Sequence, residues 1–398
     1  MTTQRTRTGI EIAAERPEVL GDGPIGLLTN FTGTTPDLGR GIDALLAAGA
    51  PVTALFGPEH GLNGSVQAGE TEANSHDAVT GLPIVETYLQ DGPALDELIS
   101  RSGVETIVFD MQDLGVRYYT YIWSLYDCLR SAARVGVRFV VLDRPNPLGG
   151  AVLEGPGLGE DGFRSFVGRA DIHQRHGLTA GELARLFNAR DLAAAGLSAQ
   201  LEVVTMTGWD PGRDFDGTGL PWVPPSPNMP TLDTAYAFTG TGIFEGTNVS
   251  EGRGTTRPFE IIGAPYIDGR LAQRLRDMRL PGVLFRDVWF SPTFHKYARE
   301  TVRGVQLHLV DRSAFEPVAT GLAMLDAIVD LYPEHFAFLE PGQRTESGER
   351  GYAIDRLWGS AVLRQAADAG APVSGLNPGQ RRTAELYGDD VLLYQRSS

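Results

Sequence analysis

The chain has 398 residues, 42% of them hydrophobic and 21% charged, enough apolar material for a packed core and for two or three domains. Fifty acidic against thirty-four basic side chains give a formal charge of -16. Such a field repels polyphosphate and anionic surfaces, which argues against nucleic acid as a partner. Cys128 is the sole cysteine, so neither an intrachain disulfide nor a thiolate metal cage can form, and its apolar surroundings mark it as a small buried hydrophobe.

The first twenty residues carry early arginines but then Glu11, Glu15, Arg16 and Pro17, without the apolar run of a signal peptide. No later stretch approaches the length of a membrane span. The expectation is a cytoplasmic protein. Short apolar runs at 25–28, 52–56, 84–88, 106–109, 139–142 and 201–204 alternate with longer segments at 38–48, 93–101, 122–133 and 179–194. In those longer segments apolar residues recur at three- and four-residue spacing. This rhythm predicts a parallel sheet with crossover helices on both faces, an α/β domain over residues 1–206.

From about Gly208 the texture changes, and five prolines between Pro221 and Pro230 exclude regular helix or central strand there. A glycine-rich loop follows at 240–254, then strands at 283–290 and 302–310 and amphipathic helices at 317–331 and 354–369. These predict a second, smaller α+β domain over residues 207–398. No internal repeat or low-complexity segment interrupts the pattern.

In open parallel sheets ligands bind beyond the carboxyl ends of the strands. Here Asn30 follows the first run, Glu59 and His60 the second, Asp110, Gln112, Asp113, Arg117, Tyr118 and Tyr119 the fourth, and Asp143, Arg144 and Asn146 the fifth. Asp and Asn are ordinary turn residues. Polar groups this dense along one edge nevertheless need either an internal hydrogen-bond network or a ligand. The tripeptide Pro-Glu-His recurs at 333–335 after an amphipathic helix, a context that predicts surface and packing. In the second domain Glu245, Asn248, Glu251, Arg253 and Arg257 are threaded on a glycine-rich loop whose backbone can approach a ligand closely, and Asn228 sits among rigid prolines.

Phosphate loops, HExxH, GxSxG and a dinucleotide GxGxxG are all absent, so no nucleotide cofactor is expected. The seven histidines show no paired metal spacing, so neither is a metal.

Taken together, the stretches GLLTN (26–30), FGPEHGLNG (56–64) with AGE (68–70), TGLPIVETY (80–88), VFDMQDLGVRYYTYIW (108–123), LDRPNPLGG (142–150), RHGLTAGELA (175–184), PPSPNMPTLDTA (224–235), FEGTNVSEGRGTTRPFEIIGAP (244–265) and FSPTFHKY (290–297) resemble the exo-β-N-acetylmuramidases. These enzymes release N-acetylmuramic acid from the non-reducing ends of peptidoglycan fragments. The resemblance covers nearly the whole chain. It implies a Rossmann-like domain joined to a smaller C-terminal domain, with the active site in the cleft between them and Glu59 as the catalytic acid.

Glycoside cleavage requires a proton for the leaving oxygen and stabilisation of an oxocarbenium-like transition state, usually from two carboxyl groups. Glu59 is the proton donor of this reading, walled by Phe56, Pro58 and Gly61, with His60 orienting it or binding substrate. Glu70, Asp110, Asp113 or the acetamido oxygen of the sugar itself could serve as the second group. The lactyl carboxylate of muramic acid calls for an arginine, with Arg117, Arg144, Arg253 and Arg257 as candidates. The sequence also allows a non-catalytic sugar-binding protein using the same cleft, whereas an acyl hydrolase would need an activated Ser or Cys beside His60.

Overall fold

The computed structural model describes residues 5–65, 75–159, 161–344 and 350–396. Six strands form one wholly parallel sheet: β1 (Ile25–Thr29), β2 (Val52–Gly57), β3 (Ile84–Glu86), β4 (Thr106–Asp110), β5 (Arg138–Leu142) and, after the short β6 (Val152–Glu154) outside it, β7 (Leu201–Val204). Their order is β3-β2-β1-β4-β5-β7. The chain winds outward from β1 in one direction and then returns to β4, so the strand order reverses between β1 and β4, the place where such folds form a ligand crevice. The predicted Rossmann-like α/β class is the one found.

Both faces of this sheet are covered, and the strand sequences show why. Ile25, Leu27, Val108, Val140 and Leu142 point to a core shared with α1 (Gly9–Glu15) and α2 (Gly41–Ala47). Leu28, Phe56, Ile107, Phe109, Phe139 and Val141 point to the other face, against α3 (Gly92–Ser102), α4 (Tyr121–Val135) and α5 (Ala180–Leu186). Alternate residues of one strand therefore serve two cores, which explains runs without polar alternation. Full burial of each such side chain contributes about 1.5–3 kcal/mol. A reciprocal capping box starts α5: Thr179 accepts from the Glu182 N–H at 3.2 Å while Glu182 accepts from the Thr179 N–H at 3.0 Å.

The second region is built on the antiparallel sheet β8-β10-β9, formed by β8 (Ile261–Ala264), β9 (Val283–Phe290) and β10 (Val302–Leu309). In β9, Val283, Phe285 and Val288 are buried while Leu284, Arg286 and Trp289 face outward, the alternation of a sheet covered on one side. Helices α6 (Leu232–Thr241), α7 (Gly269–Met278) and α8 (Pro317–Leu331) complete it. The helix predicted at 354–369 is two, α9 (Ala353–Trp358) and α10 (Val362–Asp368), because Gly359 adopts φ +94° and ends the first.

The regions do not merely touch. One apolar core runs from Phe109 and Trp123 through Phe238 and Phe259 to Val305 and Leu325. Polar contacts reinforce it: Glu154 of β6, fully buried, accepts the Val318 and Ala319 N–H groups at the start of α8, at 2.9 and 3.2 Å. The chain then returns to the parallel sheet, where the Tyr394 hydroxyl donates to Asp143 at 2.6 Å and Arg396 clasps Glu182 at 2.7 and 2.8 Å. Among the described residues no helix is long and apolar enough to cross a membrane.

Candidate active site

Strand β2 ends at Gly57, and the following Pro58–Gly61 turn closes with a 3.0 Å bond from the Gly61 N–H to the Pro58 carbonyl. His60 and Gly61 both take φ +69°, a conformation costly for a histidine and common where a site imposes it. The Glu59 side chain is nearly buried, with 8% of its surface exposed, and each carboxyl oxygen meets a hydroxyl. Tyr88, just beyond β3, donates to Oε1 at 3.0 Å, and Thr120 donates to Oε2 at 2.5 Å. Burial and the Glu59 charge push the Tyr88 phenol well above its ordinary value, so it stays a donor at any working pH. Thr120 occupies the N-cap of α4 yet makes no side-chain capping bond. Its hydroxyl goes to Glu59 instead, forgoing a cap that typically contributes about 1 kcal/mol.

Beside this corner the run 118–121 binds the first region to the proline-rich wall. The Tyr119 and Tyr121 hydroxyls both donate to the Pro225 carbonyl at 2.6 Å, with their rings edge to face at 4.9 Å. Tyr118 reaches the Phe238 and Thr239 carbonyls. Gly242 lies under that ring, where a Cβ would sit 2.7 Å from the aromatic edge.

Much of the remaining polar rim is scaffold, and several expectations are corrected here. Asp110 has no exposed surface and forms a bidentate pair with Arg144 at 2.6 and 3.1 Å, while Arg144 also donates to the Thr34 carbonyl. Neither is available as base, nucleophile or anion receptor. Arg117 is wholly buried, and its two terminal nitrogens donate to the carbonyls of Pro156, Ile172, Leu357 and Trp358. Burial lowers it to about 10. It joins distant segments and cannot reach a substrate.

Asp143 accepts from Thr179, Tyr394 and the Gly181 and Arg144 N–H groups, and burial pushes its carboxyl up to about 6. Asn146 bridges the Leu148 N–H and the Leu178 carbonyl. Gln112 donates to the Asp113 and Pro145 carbonyls. Asn30 accepts from Thr32, whose hydroxyl in turn accepts the Gln112 N–H. Asp113 accepts the Gly115 N–H at 2.7 Å and faces His176 Nε2 at 3.2 Å. His176 Nδ1 accepts from the Leu178 N–H, so Nε2 carries the proton toward Asp113. Asn30, Gln112, Asp113, Tyr119, Asp143 and Asn146 are thus all buried within the rim's own network. Glu70 lies outside the described residues.

The glycine-rich loop supplies the opposing wall. Arg253 donates through Nε and Nη2 to Glu245 at 2.9 and 2.6 Å, stacks over Phe259 at 5.0 Å, and keeps 14% of its side chain exposed. Burial lowers its pKa, but Glu245, Glu251 and Glu59 more than offset this and hold it above the ordinary arginine value. The Glu59 charge is the smallest of these contributions, and it comes from the other region.

Glu251 is fully buried between Lys296 at 2.8 Å, His295 Nδ1 at 3.0 Å and Arg253 at 3.6 Å. Burial alone would raise its carboxyl, yet these partners hold it at about 2. Glu251 therefore organises the loop rather than touching a ligand. Asn248 is likewise structural, bonded to Tyr266, the His335 carbonyl and the Ala337 N–H. The second Pro-Glu-His packs, its imidazole stacked on Tyr266 at 5.6 Å. Arg257 is exposed and pairs with Glu260, and Asn228 is buried in the proline-rich wall. Among the described residues no group of three or more His, Cys, Asp or Glu side chains could hold a metal ion.

Residues 25–233 match the family described as "Exo-beta-N-acetylmuramidase NamZ, N-terminal", and residues 236–392 match its C-terminal counterpart. The chain belongs to the NamZ family. It is 41% identical over 386 residues to the peptidoglycan β-N-acetylmuramidase NamZ of Bacillus subtilis (strain 168), covering 96% of this chain and 89% of that protein. A DUF1343-family crystal structure from Bacteroides fragilis superposes with a TM-score of 0.79 at 31% identity, over 93% of this chain and 98% of the other. A second from the same organism, at 24% identity, shares the fold with a TM-score of 0.69 over 94% and 93%.

Sequence reasoning passed over several residues of this NamZ-family site. Tyr88 and Thr120, whose hydroxyls donate to Glu59, lie at a strand end and at a helix N-cap, so the strand-end rule applied to β3 and to the start of α4 would have found them. Lys296 carried no such signal. Its ammonium reaches the Phe244 and Val249 carbonyls together with Glu251, an arrangement visible only once β9 and the glycine-rich loop are packed.

Proposed function

We propose that Glu59 is the general acid of exo-β-N-acetylmuramidase action, the activity of the family to which this chain belongs. The observation that carries this assignment is the fixing of both Glu59 oxygens by hydroxyls on different elements, in a nearly buried corner at a strand end. A donor so held is placed before substrate arrives, which is what proton transfer to a leaving group requires. As the anomeric C1–O bond breaks, the Glu59 proton passes to the departing oxygen, and water supplies the hydroxyl that completes free N-acetylmuramic acid.

Selectivity for the muramoyl sugar falls to Arg253. Arg117 and Arg144 are engaged within the scaffold, and Arg257 lies out on the loop against Glu260. Arg253 is partly exposed, senses Glu59, and among the described residues has no hydrogen bond from Nη1. A lactyl carboxylate fits that remaining face.

The test is hydrolysis of a chromogenic β-N-acetylmuramide beside the matching N-acetylglucosaminide, with wild type and Glu59→Gln. Release from the muramide alone is expected, falling about 10²–10⁴-fold on substitution with the fold intact. Undiminished turnover in Glu59→Gln would remove the assignment.

A further inference from the structure

Eight non-glycine residues among those described adopt left-handed backbone conformations, and four of them adjoin the centre just described. His60 follows Glu59, Leu89 follows Tyr88, Phe259 lies under Arg253, and His295, at φ +70°, contacts Glu251. Strain of this kind persists where surrounding structure over-determines it, and it gathers at ligand sites. Three of the four belong to residues or neighbours already assigned a part. His295 pairs with Glu251 through Nδ1, and the rest of its ring has no part assigned above.

The segment around it is firmly anchored. The Thr293 N–H and hydroxyl both donate to the Gly254 carbonyl, at 2.9 and 3.0 Å, and a Cβ on Gly254 would meet the Phe294 backbone at 2.7 Å. Lys296 grips the glycine-rich loop through two carbonyls, and the Tyr297 hydroxyl donates to the Asn248 carbonyl. Residues 293–297 therefore lie against the loop that carries Arg253.

Of the three cations around buried Glu251, Lys296 and Arg253 are largely enclosed, whereas His295 is 45% exposed. Nδ1 faces the Glu251 carboxylate at 3.0 Å, so the ring turns Nε2 outward as an oriented hydrogen-bonding atom. Phe294 beside it exposes 39% of its surface. An apolar ring next to a directional polar atom suits a hexopyranose, which presents an apolar C–H face and hydroxyls that can donate or accept.

Resting on the muramidase reading, we propose that Phe294 and His295 form an outer subsite for the leaving-group sugar, with Phe294 under its C–H face and His295 hydrogen-bonded to one of its hydroxyls. In an exo-acting site the terminal muramoyl residue occupies the enclosed corner and the rest of the glycan projects past the rim. The rim here is this segment.

An aryl muramide has no hydroxyl in its leaving group, so the two substrates separate the roles. Compared with wild type, His295→Ala should lower kcat/KM on the disaccharide of N-acetylmuramic acid and N-acetylglucosamine about tenfold. Because His295 also partners Glu251, the aryl muramide should fall too, but several-fold less than the disaccharide, with melting temperatures measured alongside. Phe294→Ala, at an exposed position that folding tolerates, should lower the disaccharide value as well. Equal losses on both substrates, or none on the disaccharide, would overturn the subsite. Should wild type cleave neither substrate, the muramidase reading falls. The subsite is then judged by calorimetry of disaccharide binding, with unchanged affinity in both variants sinking it and about tenfold weaker binding retaining it.

Discussion

The loop after β4 and the glycine-rich loop of the second region both carry an arginine among aromatics, and they use it in opposite ways. Arg117 is wholly enclosed and gives its terminal nitrogens to four main-chain carbonyls, with no carboxylate against it. Arg253 is held by carboxylates, remains partly open and keeps one nitrogen uncommitted. The first arginine is a bolt, and the second is the proposed receptor. Residue type in a suggestive segment therefore does not decide function. What decides it is whether hydrogen-bonding capacity is left over after folding.

The largest test of this contrast is Arg117→Ala, which strands four buried carbonyls. Urea unfolding should show a loss of about 3–5 kcal/mol or outright failure to fold. A loss under about 1 kcal/mol would erase the distinction.

Next comes Glu251→Gln, which asks whether the receptor loop depends on its buried carboxylate. The folded carboxyl sits at about 2 against an ordinary 4.5, so the native state prefers it ionised. That preference stabilises the fold above pH 4.5 and is lost as pH falls from there toward 2. The glutamine variant should lose on the order of 3 kcal/mol at pH 7 and show a shallower acid limb of stability below pH 4.5. An unaltered acid limb would refute the role.

The smallest effect is expected for Tyr88→Phe, which removes one of the hydroxyl donors to Glu59. Steady-state kinetics on the muramide should show kcat down about tenfold with KM within twofold. A change confined to KM would make Tyr88 a substrate contact instead.

All six runs read as strands appear in one parallel sheet, because segments buried on both faces are continuously apolar and bounded by turns. Helix α8 was legible to the residue, with Pro317 at its start and a clear apolar face. Helices α1, α6 and α7 and strand β8 were missed. α6 is rich in threonine and contains Gly240, which belongs there because a Cβ would meet the Pro317 carbonyl of α8 at 1.9 Å. α7 was readable, since Asp268 caps it and Leu271, Ala272 and Leu275 form a stripe.

The site divides along the same line. Position at a strand end picked out Glu59, and position on a glycine-rich loop picked out Arg253. Spacing along the chain could not reveal that Asp110 and Arg144, 34 residues apart, neutralise each other, or that Arg117 reaches residues 357 and 358.

The clasp at the end of the chain has a consequence for synthesis. Asp143 and Glu182 receive their Tyr394 and Arg396 partners from 251 and 214 residues downstream. During translation the strands of the parallel sheet are made well before residues 394 and 396, so Asp143 and Glu182 first hold only their local partners around Thr179 and gain the clasp later. A fragment cut after β7 would lack the clasp together with the second region's share of the common apolar core.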